Sequence, residues 1–210
     1  MPRPKKNLSS TYFQFRPHPW HGLEIGPNPP RLVNAYIEIT PFDLAKYEID
    51  KVSGYLRIDR PQASSSLPPT LYGFIPKTLC GPRVTKLSKD PGKSDNDPLD
   101  ICVLSENLIG RPEVVLKAKV IGGIQFNDQG EADDKIIAVL EGDNVWGKLE
   151  GIQQVPKTMI KRLQHYFENY KSLPGERTKV KFYGFYPREH AWRIIRAAIE
   201  DYQEAFPDGH

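Results

Sequence analysis

Long apolar runs are missing from this 210-residue chain. The longest are short, such as Ile136–Leu140, where crossing a bilayer takes ~20 consecutive apolar residues. The basic start Met1–Asn7 has no apolar stretch behind it, so it does not read as a secretory signal. Cysteine is almost absent. Cys80 and Cys102 are the only two, which excludes a disulfide framework and any CxxC zinc or redox motif. They read as reduced thiols of a cytoplasmic protein. A dominant charge sign is missing as well. Lys and Arg number 29 against 26 Asp and Glu, a net charge of +3, weak support for a face that grips nucleic acid by its backbone. Proline is instead abundant, 20 of 210 residues against a usual ~5%. That makes long helices scarce and excludes a bundle or coiled coil.

What is present is a series of short strands followed by helices, with no internal repeat or low-complexity tract. Residues 1–31 are proline-rich and polar, and read as an extended surface segment. In Leu32–Thr40, Val33, Ala35, Ile37 and Ile39 alternate with Asn34, Tyr36, Glu38 and Thr40. That is the period of a half-buried strand. Residues 46–50 and 55–60 flank the turn-like Val52-Ser53-Gly54 and read as a hairpin. Further strands are expected at 99–104, 114–124, 135–140 and 179–186. Helices are expected at Thr158–Leu173 and Arg188–Phe206, from apolar residues at helical spacing. Residues 80–94, with Gly81-Pro82 and Asp90-Pro91-Gly92, read as an inserted loop. The order predicts one domain over 1–210, mainly β (α+β), with an antiparallel sheet or closed barrel and helices packed against it.

The chemistry concentrates in Asp95-Asn96-Asp97-Pro98-Leu99-Asp100. Three carboxylates within six residues, at a loop-to-strand junction, repel one another and resist burial. Hard divalent cations offset that cost, because Mg²⁺ takes carboxylate oxygen. An EF-hand is excluded, since Leu99 and Asp100 fall where that loop needs an oxygen ligand and a glycine. A second acidic cluster, Asp128, Glu131, Asp133 and Asp134, precedes Lys135 and reads as a loop facing the same site. Lys46, Arg60, Tyr170 and Lys171 supply cations and a phenol suited to a polyanion. Gly142–Lys148 fits GxxxxGK, but Leu149 follows where a phosphate-binding loop needs Ser or Thr. His18 and His21 have no third metal ligand nearby in sequence.

Asp95–Asp100 resembles the D-x-D-P-x-D signature of the family I soluble inorganic pyrophosphatases. Glu38, Lys46–Lys51, Arg60, Tyr72-Gly73, Asp128, Asp133, Lys135 and Tyr170-Lys171 extend the likeness from about Glu38 to Lys171. The resemblance implies a five-stranded OB-like barrel that hydrolyses pyrophosphate with several Mg²⁺ ions; oxygen-rich sites of this kind also admit Mn²⁺ or Zn²⁺. Asp95, Asp100 and Asp133 would hold the first metal, with Asp100 bridging to a second. Asp128 and Glu48 would serve further metals, and Asp97 would be the general base. Lys46, Arg60, Lys135, Tyr170 and Lys171 would bind phosphate oxygens, and Tyr72 would hydrogen-bond within the site. Glu38 would be an outer acid. The resemblance also implies a homo-oligomer, a hexamer as in bacterial relatives, with no nucleic-acid or membrane partner. An OB-type barrel holding single-stranded nucleic acid is the alternative reading. Three features depart from compact bacterial members: the longer loop before the signature, Pro68 in place of a frequent tyrosine, and the extra segment around His18–Gly22.

Overall fold

The computed structural model describes residues 16–62, 65–90, 92–173 and 180–207. Within them the order is β1 (Leu32–Ile39), β2 (Ala45–Ile49), β3 (Leu56–Pro61), β4 (Leu71–Phe74), α1 (Pro82–Thr85), β5 (Asp100–Leu104), β6 (Val114–Asp128), β7 (Glu131–Leu140), a 3-10 turn at Ile152–Gln154, α2 (Lys157–Asn169), β8 (Val180–Pro187) and α3 (Arg188–Ala205). β1 pairs with β4 on one side and β6 on the other, and the chain of pairings β4–β5, β5–β7 and β7–β6 completes a ring of five strands. All are antiparallel except β5–β7. β8 adds to β6, while β2 and β3 form the expected hairpin as a separate two-stranded sheet. Closure leaves the ring strands few unpaired edges. Among the described residues no helix is long and apolar enough to cross a membrane.

The burial pattern explains the sequence. Along β5, Ile101 and Val103 join one apolar cluster while Cys102 and Leu104 join another, and β7 divides in the same way. A strand covered on both faces has no need of a polar alternate, so both read as continuous apolar runs. One cluster is completed by α3 through Ala191, Ile194, Ile195 and Ala198. The other is completed by α2 through Leu163, Tyr166 and Phe167.

Four expectations need revision. Asp128–Lys135 is a β-hairpin rather than an acidic loop: Asp128 pairs with Glu131, and Gln129 and Gly130 turn the chain with φ of 56° and 97°. Two positive φ values in succession match the twist that two-residue hairpin loops require. β4 gave no periodic signal, because it has four residues and one is Gly73. A β-carbon there would sit 1.8 Å from the Tyr36 carbonyl oxygen, so glycine is what lets β1 and β4 approach. The segment 80–94 carries the short helix α1. The N-terminal segment does more than cover the surface. Trp20 is only 4% exposed and packs with Tyr36, Phe74 and Tyr202. Its indole donates to the Thr78 carbonyl at 2.8 Å. Of the strand expected at 179–186, residue 179 lies outside the described residues.

Trp20→Ala removes this anchor. It should lower the unfolding free energy by about 3–5 kcal/mol, read from urea melts followed by circular dichroism.

Candidate active site

The Asp95–Asp100 loop is shaped by its own hydrogen bonds. Asn96 adopts a left-handed φ of 57°, which asparagine tolerates better than most residues. The Asp97 amide donates to Asp95 Oδ1 at 3.0 Å. Pro98 then leads into Leu99, fully buried, whose amide donates to Thr78 Oγ1 at 3.0 Å. Burying Leu99 delivers Asp100 to the first position of β5, and the parallel register sets Asp100 opposite Lys135 on β7.

That register creates the central contact. Lys135 Nζ lies 2.7 Å from Asp100 Oδ2 and 2.7 Å from Asp133 Oδ1. The Tyr72 hydroxyl donates to Asp100 from β4. Lys135 is 3% exposed, and its ammonium also lies over the Phe167 ring at 5.0 Å. Burial alone would lower the Lys135 pKa, but Asp100 and Asp133 outweigh it and hold the amine well above its ordinary value. Burial raises Asp100 above the usual carboxylate range, with the Asp133 charge adding to it and Lys135 opposing. Strand alternation puts Glu131, Asp133 and Lys135 on one face. Asp134 therefore turns away, buried at 2% and bonded by Gln125.

One pocket collects the rest. It is lined by Glu38, Lys46, Glu48, Lys51, Tyr72, Asp95, Asp97, Asp100, Asp128, Glu131, Asp133, Lys135, Tyr170 and Lys171, together with Ile49, Phe74 and Pro98. Every sequence-expected site residue is among them except Arg60. Arg60 stands across the β2–β3 hairpin from Lys46 and pairs with Asp59. Its Nη2 is buried without a hydrogen-bond partner. Lys46 Nζ sits 3.0 Å from Glu48 and 3.1 Å from Asp59. Lys51 pairs with Asp97, and Lys171 pairs with Asp128. Glu38 lies beneath, accepting from the Ile49 amide at 2.8 Å. Burial pushes Glu38 up to about 8, against that bond. Asp95 is likewise pushed up to about 8, chiefly by burial.

Sequence reasoning gave no role to Lys51 or Asp59, and placed Glu131 only within the acidic run facing the site. Lys51 lies in the turn after β2, where strand periodicity says nothing about direction. It also expected hard ions to hold the aspartates together. Here Lys135 stands between Asp100 and Asp133, and among the described residues no three carboxylate, imidazole or thiol groups already surround a common point.

The family model for inorganic pyrophosphatase matches residues 35–203. The chain belongs to the inorganic pyrophosphatase family. It is similar to the inorganic pyrophosphatase of Chlamydia muridarum, 45% identical over 199 residues that cover 90% of this chain and 95% of that one. It is 40% identical to soluble inorganic pyrophosphatase 3 of Arabidopsis thaliana, over 89% of this chain and 79% of that one. Among solved structures, the inorganic pyrophosphatase from Thermus thermophilus superposes with a TM-score of 0.75 at 32% identity, covering 88% of this chain and 99% of that one. This family membership also accounts for the mainly β architecture anticipated from the order of elements.

Removing the central ammonium leaves two half-buried carboxylates facing each other. Lys135→Met should cost about 3–5 kcal/mol of stability, measured by urea unfolding in EDTA. A change below 1 kcal/mol would mean that Asp100 and Asp133 do not depend on it.

Proposed function

We propose that this chain hydrolyses inorganic pyrophosphate to two orthophosphates in the Asp100–Lys135 pocket, using Mg²⁺ held by its carboxylates. The observation that carries the reading is the charge inventory of that pocket. Eight carboxylates line it against four lysines, so carboxylates still outnumber ammonium groups with Glu38 and Asp95 protonated. A polyanion cannot enter such a pocket unless cations come with it. The carboxylates fit that demand. Asp128 Oδ1 is buried with no hydrogen-bond partner, and Asp95 is desolvated enough to be pushed up to about 8. Oxygen donors of this type suit Mg²⁺, with Mn²⁺ or Zn²⁺ able to substitute.

In this reading Asp95, Asp100 and Asp133 would hold the first metal, and Asp128 and Glu48 would hold others. When bound, Mg²⁺ neutralises phosphate oxygens and makes water easier to deprotonate. The protein supplies the remainder. Lys46, Tyr170 and Lys171 take phosphate oxygens, and Arg60, across the hairpin from Lys46, extends that set. Lys135 exchanges a carboxylate contact for a phosphate contact. Tyr72 fixes the orientation of Asp100 through its hydroxyl. Glu38 holds the Ile49 amide, and so the strand that carries Glu48. Asp97 accepts the proton of the attacking water. Its side chain is 47% exposed, compared with 27% for Asp100, 20% for Asp133 and 15% for Asp128, so it is the more open to water. Water forms the new P–O bond as the bridging P–O bond breaks, and no side chain becomes a nucleophile. Positioning and charge stabilisation suffice for such transfer.

Single-stranded nucleic acid is disfavoured as a ligand, because the same carboxylates repel phosphodiesters. A cytoplasmic home is supported by Cys80 and Cys102, both buried free thiols. A homo-oligomer, a hexamer by family resemblance, is part of the reading. A light-scattering mass decides it.

Phosphate release from pyrophosphate should stop in excess EDTA and return with Mg²⁺; no Mg²⁺-dependent release would end the proposal. Asp97→Asn should lower kcat by about 10²–10⁴-fold with KM for pyrophosphate nearly unchanged, in steady-state phosphate assays.

A further inference from the structure

The segment before the Asp95–Asp100 loop is anchored to α3 at a distance from the pocket. Asp201 on α3 has a side chain 1% exposed, and it points at the start of α1. Its Oδ2 accepts from the backbone amides of Arg83 at 3.0 Å and Val84 at 3.2 Å. Its Oδ1 accepts from Arg83 Nη1 at 2.9 Å. The first amides of a helix have no intrahelical acceptor, and Asp201 fills that need from 118 residues away. Gly81 fits against it, since a β-carbon there would lie 2.7 Å from the Asp201 carboxyl. Two residues earlier, the Leu79 amide donates to the Ala198 carbonyl of α3 at 2.9 Å.

Between those two tethers stands Cys80, and its backbone faces the acidic loop. The Cys80 amide donates to the Asp97 carbonyl at 2.8 Å, and its carbonyl accepts from the Asn96 amide at 3.3 Å. The Ser94 hydroxyl donates to the same carbonyl. The backbone that sets Asp95 and Asp97 is thus clamped by a residue held between Leu79 and Gly81, both fixed on α3. Residues 79–84 act as a bracket, and Asp201 is its bolt.

We propose that Asp201 is a positioning residue for the reaction: by fixing the start of α1 on α3 it holds Cys80, and through Cys80 the backbone of Asp95–Asp97, where carboxylates must meet metal and water. This rests on the pyrophosphatase reading for its kinetic consequence, though not for its structural one. Phosphate-binding Lys46, Arg60, Tyr170 and Lys171 stand on other elements. Loosening the bracket should therefore change metal use and turnover and spare substrate affinity.

The test compares the full-length wild type with Asp201→Ala, Asp201→Asn and a control, Ile195→Val, which trims the same helix within the core. Hydrogen exchange is read in EDTA for peptides spanning 92–99. Pyrophosphate hydrolysis is titrated with Mg²⁺ well below the melting temperature of each variant. Asp201→Ala should speed exchange over 92–99 and raise the Mg²⁺ needed for half-maximal rate by about tenfold, with KM for pyrophosphate within about twofold. Asp201→Asn keeps an acceptor for the α1 amides, so it should fall between. Ile195→Val should lower the melting temperature and move neither reading. If Asp201→Ala does not fold, Asp201→Asn carries the comparison against the same control. Exchange and Mg²⁺ dependence in the Asp201 variants equal to those of Ile195→Val would overturn the proposal and leave Asp201 a structural contact only. A wild type without pyrophosphate turnover would instead refute the proposed function, and the exchange data alone would still decide whether Asp201 holds the loop.

Discussion

A single ammonium group between two carboxylates organises this molecule. Lys135 reaches Asp100 on the neighbouring parallel strand and Asp133 two residues back on its own. It can do so only because β5 and β7 run in the same direction with Asp100 opposite Lys135. In an otherwise antiparallel ring, that one parallel pair brings the start of β5, where the acidic loop ends, beside the site-facing side of the β6–β7 hairpin. A one-residue slip would turn Asp133 and Lys135 away and bring Asp134 forward.

The same arrangement shows how the pocket tolerates its charge. Each lysine in it is already engaged by acid: Lys46 by Glu48 and Asp59, Lys51 by Asp97, Lys135 by Asp100 and Asp133, Lys171 by Asp128. These pairs hold the side chains in place, yet carboxylates still outnumber ammonium groups two to one. In the proposed function, incoming cations and an incoming polyanion would relieve both halves of each pair. Lysine and metal would then compete for the same oxygens, and the phosphate groups would give displaced lysines a new partner. A pocket assembled from acid alone would be costly to bury, whereas one fully neutralised by lysine would leave no demand for metal.

Much of this was legible in the sequence, for identifiable reasons. The D-x-D-P-x-D stretch needed no fold to be noticed, and Lys46, Glu48 and Lys135 lay on strands that alternation or apolar runs revealed. Arg60 was found as a residue, but it stands across the hairpin from Lys46 and outside the lining. The acidic run at 128–134 looked like a loop because turn-forming polar residues and strand residues share a composition when one face of a hairpin is a site. Lys51 was given no role because turn residues carry no period. Asp201 was invisible in the sequence: a lone acid in a helix says nothing about a partner 118 positions away.

The order in which the ring closes has a consequence for the growing chain. β1 meets β4 early in synthesis, but it finds its second neighbour only in β6, and β5 must wait for β7. Contacts of such sequence separation form slowly. A nascent polypeptide that has emerged only as far as Asp100 carries Lys51 to pair with Asp97, but Asp100 is without Lys135. The centre is born late, when residues 131–140 leave the ribosome and dock, so a truncated product stopping before that hairpin lacks the centre altogether.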